Sequence, residues 1–360
     1  MTPQHSASPP RPHGPPSVRV VIPAFRAERT IRTCVSALAQ SQLSSDYELV
    51  VADDGGHADL RGTLADLPVT IVPTGRTESA AAARNIGARS FFGQYLVFVD
   101  ADVVVHPDCL EQLLAPLRTG RADAAVGNYS RHVAGLSFAA RYKQLYIAQV
   151  YERRAGYVRN DFWTAIGAVD ARVFQELGGF DSQFKGANGE DADLGRRLTH
   201  HGYRIVAVPT AVGEHRPGLN MRGLVGNDWR KGVLAVRNRF DSGGALSDNR
   251  HATRRDKAAV LLALGLAALV VLPAAPVLTV EHVLWPLGLC GAGYLAARGD
   301  IVRGFAGQPS GFLLRAAAVM VLLDMVRCGC LVAGTLAYLR SRISRPVPQP
   351  VASIAHFNPD

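Results

Sequence analysis

The chain has 360 residues, 48% of them hydrophobic and 19% charged, and its 39 Lys and Arg outnumber 30 Asp and Glu to give a formal charge of +9. That composition excludes a disordered or collagen-like protein, and the length allows one to three domains with a full apolar core. The scattered Cys34, Cys109, Cys290, Cys328 and Cys330 contain no Cys-x-x-Cys, so spacing supports neither a zinc site nor a disulfide framework, and reduced cytosolic thiols are the simpler reading.

Residues 1–17 are rich in Pro and Ser, have no apolar stretch that could serve as a signal peptide, and read as a disordered leader. From residue 18 to about 215, short β-branched runs alternate with longer Ala/Leu/Arg stretches at helical spacing, which predicts βαβ units and a mostly parallel, Rossmann-like sheet. Strands are expected at 18–22, 47–52 and 95–99, closed by Pro23, by Asp53-Asp54-Gly55-Gly56 and by Asp100-Ala101-Asp102. Open parallel sheets bind ligands beyond the carboxyl ends of their strands, so these endings should converge on one crevice. Helices are expected at 28–42, 78–90 and 107–117, the last with Pro107 in its first turn, and at 136–151. The Gly-rich section 167–195 reads as a substrate-facing flap or a plain surface loop, and a strand is expected at 203–208.

The composition shifts after residue 221. An α/β domain over 18–240, a basic linker at 241–257, a membrane region at 258–340 and a tail at 341–360 are expected. The uncharged run 258–280 is long enough to span a bilayer, 278–297 is a second apolar stretch, and Pro273 and Pro276 suit the tip of a hairpin between them. Positive charge before the first and after the second, at Arg298 and Arg303, puts both hairpin ends and the domain in the cytoplasm. Residues 312–339 are a third candidate carrying Arg315, Asp324 and Arg327; Asp324 and Arg327, three apart on a helix, can offset each other. Two spans are expected; the third is left open against an interfacial or re-entrant helix, since a third span would put Arg340, Arg342 and Arg345 outside. The net positive charge fits anionic lipid headgroups, and no basic patch with interleaved aromatics points to nucleic acid.

Asp100 and Asp102, two apart where a strand runs out, can hold a hard divalent cation, Mg²⁺ or Mn²⁺, or can be a solvated strand end. Glu190, Asp191 and Asp193 open a helix after a glycine-rich turn and can either do chemistry or complement the positive helix end. The joint order is more specific: Val21-Ile22-Pro23-Ala24-Phe25, Asp53-Asp54-Gly55-Gly56, Ala83-Arg84-Asn85-Ile86-Gly87, Asp100-Ala101-Asp102, Gly178-Gly179-Phe180-Asp181, and Gly189-Glu190-Asp191-Ala192-Asp193-Leu194 with Arg196-Arg197-Leu198.

With these elements in this order, residues 18–215 resemble glycosyltransferase family 2, the inverting group with the GT-A fold. The resemblance implies that Pro23, Phe25, Glu28 and Asp53 lie near the nucleotide base, and Arg84 near the nucleotide and its diphosphate. It makes Asp100 and Asp102 the Asp-x-Asp acids, Asp102 usually on the metal and Asp100 nearer the ribose or sugar. Asp191 corresponds to the general base, and His215 to a further metal ligand in some relatives; by itself His215 can equally be a packed or solvent residue. Arg26 stands where Asn is usual, Gly56 where Ser is usual, and the Gln-x-x-Arg-Trp motif of processive members is missing although Asn227-Asp228-Trp229-Arg230 sits in that region. Single-sugar transfer is therefore favoured.

The chemistry has its own requirements. Displacing a nucleoside diphosphate at an anomeric carbon needs the leaving group's charge stabilised and an acceptor hydroxyl deprotonated, a task for a carboxylate such as Asp191 on the opposite face. Trp163 and Phe162 line the acceptor site or belong to the core, Glu190 is assigned to the acceptor, Asp193 reads as structural, and His200-His201 as a helix end. The expected partners are a nucleotide-diphosphate sugar, a glycan or lipid-linked acceptor and membrane lipids. Two rivals remain. A sugar-phosphate nucleotidyltransferase would want a Gly-rich basic loop after the first strand, which Pro23-Ala24-Phe25-Arg26 is not. A non-catalytic membrane-anchored protein of this fold would have no need of the acids present.

Overall fold

The computed structural model describes residues 16–55, 59–75, 79–132, 134–153, 156–184, 189–241, 254–271 and 280–343. Most of the expected leader, most of the basic linker, all but three residues of the tail, the hairpin tip at Pro273 and Pro276, and Gly56 lie outside them.

The first half alternates strand and helix: β1 (Val18–Ala24), α1 (Ile31–Ala39), β2 (Tyr47–Asp53), α2 (Leu60–Thr63), β3 (Val69–Pro73), α3 (Ala80–Ala88) and β4 (Tyr95–Val99). Then come β5 (Val103–Val105), α4 (Cys109–Arg118), β6 (Ala124–Tyr129), α5 (Phe138–Glu152), β7 (Gly156–Val158), β8 (Ile166–Asp170), α6 (Ala171–Glu176), α7 (Glu190–His200) and β9 (Ile205–His215). The strands form one sheet in the order β3-β2-β1-β4-β8-β6-β9-β5, with β7 on β9. β1, β2, β3 and β4 are parallel neighbours, whereas β8 runs antiparallel between β4 and β6, so the sheet is parallel at one end and mixed at the other.

Strand alternation explains the two cores. Val20, Ile22, Val97 and Val99 face α1 and α4, while Val21 and Phe98 face the other side, where Phe162, Phe174 and Phe180 close around Phe98. The helices start later than the periodicity suggested: α1 begins at Ile31, α3 at Ala80 behind the Ser79 cap, and α4 at Cys109, which puts Pro107 ahead of the helix. The Gly-rich section is no simple loop, since it contains β8, α6 and the start of α7. Gly195 lets α7 lie directly on the chain at Asp161 and Phe162: a Cβ there would sit 2.7 Å from Asp161 N and closer still to Phe162 N.

Among the described residues, four helices follow: α8 (Met221–Asp241), α9 (Arg254–Val271), α10 (Val280–Gly304) and α11 (Ser310–Ile343). The two-span hairpin is not found among the described residues. α9 opens on Arg254, Arg255, Asp256 and Lys257, and α10 carries Arg298, Asp300 and Arg303. Among the described residues, one helix is long and apolar enough to cross a membrane, Ser310–Arg340 within α11. This is the segment that its charges had made doubtful. The reason is tertiary: Asp324 is 0% exposed, and Arg298 of α10 and Arg327 of α11 both bond to it, joined by the Tyr294 hydroxyl at 2.8 Å. The same network continues from Arg298 to Asp256 at 2.5 Å, from Asp256 to Arg153 of α5 at 2.9 Å, and from Arg327 to Asp228 of α8 at 2.9 Å. Such buried charges persist only when mutually neutralised. The opposite faces carry exposed Leu284, Trp285, Leu289, Leu314, Leu331 and Leu336.

Candidate active site

The order β3-β2-β1-β4 reverses chain progression at β1/β4, which is where open α/β sheets leave a crevice. A cavity of about 660 Å³ opens there. From the end of β1 onward it is lined by Pro23 through Thr30, after β2 by Asp54, from α3 by Ala83 and Arg84, after β4 by Asp100, Ala101 and Asp102, and beyond β9 by Pro217 and Gly218. A larger hollow of about 810 Å³ beside Leu284, Trp285 and Leu289 of α10 is apolar and offers no group able to do chemistry.

Pro23, Phe25 and Glu28 line the cavity, with Phe25 50% exposed at its lip. The Arg26 guanidinium stacks on Phe25 at 5.1 Å, and Arg26 has φ +49°, a left-handed conformation that suits Asn better than Arg. Asp53 does not line the cavity. Its Oδ1 accepts from Gly55 N at 3.0 Å and closes the turn after β2. The lining acid is its neighbour Asp54, 3% exposed, which accepts from the Thr74 hydroxyl and from Ser79 N, tying the ends of β2, β3 and α3 together. One residue further along the turn reverses the side that a carboxylate faces, which the doublet in the sequence leaves undecided.

Arg84 is not a free cation waiting for a diphosphate. It is 2% exposed, donating from Nη2 to Asp100 Oδ1 at 2.7 Å and from Nη1 to Glu190 Oε1 at 2.8 Å. Burial opposes its charge, but Asp100 and Glu190 outweigh burial and hold it firmly protonated. Glu190, assigned to the acceptor in the sequence, therefore turns inward and is 2% exposed. One guanidinium thus bolts the end of β4 to the first turn of α7, where Asp191 follows Glu190. Asp191 is half-buried and accepts from Ala192 N at 2.8 Å. Desolvation first, and the Glu190 charge second, push its carboxyl up to about 6, against the lowering influence of Lys231, Ala192 N–H and Arg84. A carboxyl at that value is a usable base near neutral pH. Asp193 instead pairs with Arg196 and Arg197 at 2.7 Å, on the far side of the helix.

Asp102 Oδ2 lies 3.1 Å from His215 Nε2, at the end of β9 rather than in a turn beyond it. Burial raises the Asp102 carboxyl, but the bond and charge of His215 prevail and hold it below the usual carboxylate range. The imidazole stacks flat on Tyr129 at 4.7 Å, Tyr129 meets Trp163 edge-on at 4.7 Å, and Trp163 leans on Tyr151, so Trp163 supports the His215 ring through one intervening aromatic. Two donors 3.1 Å apart match adjacent corners of an octahedral cation with bonds of about 2.1 Å, and Mg²⁺ or Mn²⁺ commonly takes one or two protein ligands, the remainder being water and phosphate oxygens. The residues present therefore fit such a cation, although no cluster of three or more His, Cys, Asp or Glu is found among the described residues.

Sequence reasoning missed two lysines. Lys143 of α5 and Lys231 of α8 act electrostatically on Asp102 and Asp191 respectively, from positions to which the motifs gave no role.

Comparison with known proteins agrees with this geometry. Residues 19–177 match the family model described as "Glycosyl transferase family 2", and residues 147–217 match that for the N-terminal domain of galactosyltransferase. Glycosyltransferase AglE of Haloferax volcanii is 26% identical over 207 residues, 56% of this chain and 67% of the relative. Validoxylamine A glucosyltransferase of Streptomyces hygroscopicus subsp. limoneus is 28% identical over 238 residues, 57% of this chain and 51% of the relative. Glycosyltransferase GlyA of Streptococcus pneumoniae is 30% identical over 117 residues, 31% of this chain, which spans only 16% of that relative's length. The solved mannosyltransferase PcManGT from Pyrobaculum calidifontis, in complex with GDP-Man and Mn²⁺, is similar in fold with a TM-score of 0.55 and 19% identity over 93% of this chain and 90% of that one. That likeness of fold takes in the C-terminal helices as well as the sheet. Over residues 19–177, where sequence motifs, sheet order and family match coincide, this chain is similar to glycosyltransferase family 2, and its fold is GT-A-like.

Proposed function

We propose that the chain is a membrane-attached, inverting glycosyltransferase that moves one sugar from a nucleoside-diphosphate donor to a hydroxyl on a lipid-linked or cell-envelope glycan acceptor. The observation that carries this reading is the Arg84 bridge, because it fixes the donor-side carboxylate Asp100 and the acceptor-side turn at Glu190-Asp191 relative to each other. Holding base and electrophile in register is the largest contribution a rigid scaffold can make to such a displacement.

Phe25 and Arg26 offer a planar face to the nucleotide base, and the buried Asp54 fixes the turn beneath it. Asp102 and His215 would hold Mg²⁺ or Mn²⁺, which supplies charge stabilisation to the departing diphosphate. Asp191 takes the proton from the acceptor hydroxyl as that oxygen attacks the anomeric carbon from the face opposite the diphosphate. A single displacement inverts the centre, and no protein acid is required because the leaving diphosphate is already a stable anion. Residues 310–340 attach the enzyme to the bilayer, and the cations at Arg254, Arg255 and Lys257 favour the cytoplasmic side for the catalytic domain.

The test is a panel of nucleotide sugars with Mn²⁺, scored for protection of the full chain against heating and then for sugar release. One donor should protect and turn over. A panel that neither protects nor turns over rejects the reading.

A further inference from the structure

We propose that Lys143 and Lys231 form a phosphate-binding subsite on the acceptor side of the cleft, and that the acceptor presents its hydroxyl beside a phosphate carried by a lipid. This deepens the transferase reading and rests on it.

The geometry is a chain of contacts. Gln144 of α5 accepts from His215 N at 3.3 Å, so the first half of α5 lies against the end of β9, where His215 meets Asp102. Lys143 precedes Gln144, and Tyr146 is three residues on, over the same face of α5. The Arg327 guanidinium sits 5.4 Å over the Tyr146 ring and bonds Asp228 of α8 at 2.9 Å. Lys231 lies three residues beyond Asp228 on α8. Two ammonium groups from two helices are thereby brought together next to Asp102 and Asp191.

Asp228 is held by Arg327, and its charge reaches Lys143 without a hydrogen bond. Among the described residues neither lysine forms a hydrogen bond or ion pair. Lys143 is half-buried and Lys231 exposed; the Lys143 ammonium is pushed down to about 8 by burial first and by Lys231 second, against the opposing charges of Asp228 and Asp102. A folded protein that keeps two mutually repelling cations without a hydrogen-bonded carboxylate has a ready place for an anion. The donor cavity is lined from β1, β2, α3, β4 and the segment after β9, and by no residue of α5 or α8, which favours the acceptor over the donor as the source of this anion. The lipid source is favoured over a free sugar phosphate because α8 runs along the membrane-candidate helix: Trp229 packs over Gly329, and Phe240 stacks on Tyr338 at 5.0 Å.

Binding is measured by titration calorimetry on the full chain in detergent, without donor, using a short-chain polyprenyl monophosphate, the same polyprenol and glucose 1-phosphate. The phosphate lipid should bind at least about tenfold tighter than the alcohol. Lys143→Met and Lys231→Met should each weaken it about tenfold, as expected for loss of one charge-assisted bond, and Lys143→Arg and Lys231→Arg should retain it. Thermal unfolding of each variant separates loss of the subsite from loss of the fold, and the arginine variants separate charge from packing. Glucose 1-phosphate binding as tightly as the lipid supports the subsite and moves its source to a soluble phosphate. Equal affinity for polyprenol and its phosphate, or Met variants that bind like the parent, overturns the proposal. Because no donor is present, these results stand whether or not the nucleotide-sugar panel succeeds.

Discussion

Replacing Asp191 by Asn should abolish sugar transfer and make the folded chain more stable. The Asp191 carboxyl is raised from 3.8 to about 6 by burial and by Glu190, so at neutral pH the folded protein holds a carboxylate that its surroundings disfavour. A tenfold change in a proton equilibrium is about 1.4 kcal/mol, which bounds the cost at about 3 kcal/mol, and screening of this half-buried side chain reduces it to about 1–2 kcal/mol. Asn keeps the shape and removes the charge. For a domain of this size the gain corresponds to a rise in melting temperature of about 2–8 °C. The sign depends on pH. A carboxyl raised in the native state stabilises the fold fully below its unfolded value of 3.8, and loses that contribution as pH rises through about 6. The advantage of Asn over Asp should therefore be full above pH 6 and vanish below pH 4. Thermal unfolding of both proteins at pH 7.5 and pH 4, alongside turnover, measures this. A substitution that leaves stability unchanged at pH 7.5, or raises it equally at both values, refutes the electrostatic account of Asp191, and retained turnover refutes its role as base.

Other substitutions probe the supports around it. Arg84→Met strands the Asp100 and Glu190 carboxylates in a site where Arg84 and Glu190 are each 2% exposed, and should cost about 3–5 kcal/mol in an unfolding titration, with Arg84→Lys intermediate. Asp102→Ala should abolish the dependence of donor binding on Mn²⁺, read by calorimetry with and without the ion. Gly195→Ala drives a methyl group into the backbone at Asp161 and Phe162; it should lower kcat more than donor affinity, because it displaces α7 and not the donor cavity. Asp324→Asn leaves Arg298, which is 0% exposed, without its strongest partner and should lower the melting temperature of the detergent-solubilised chain, whereas Arg315→Gln, on an exposed position of the same helix, should not.

The chain of motifs from Pro23 to Asp191 was legible because each lies at a strand end or helix start whose apolar period is strong, and because the Asp-x-Asp acids can only leave a buried strand such as β4 at its exit. The sheet order, the antiparallel insertion of β8 and the inward turn of Glu190 were not legible, since no local period reports which strands become neighbours. Asp53 and Asp54 could not be separated, for adjacent residues differ only in the face that a turn gives them. The helix 310–340 was left open for a related reason: its sequence shows the charge of Asp324 but not that Arg298, twenty-six residues away, neutralises it. Sequence alone determined which groups the protein owns and the chemistry they are fit for. Tertiary structure decided which charges are partnered and which remain available, because burial and pairing depend on distances between segments that the chain brings together only on folding.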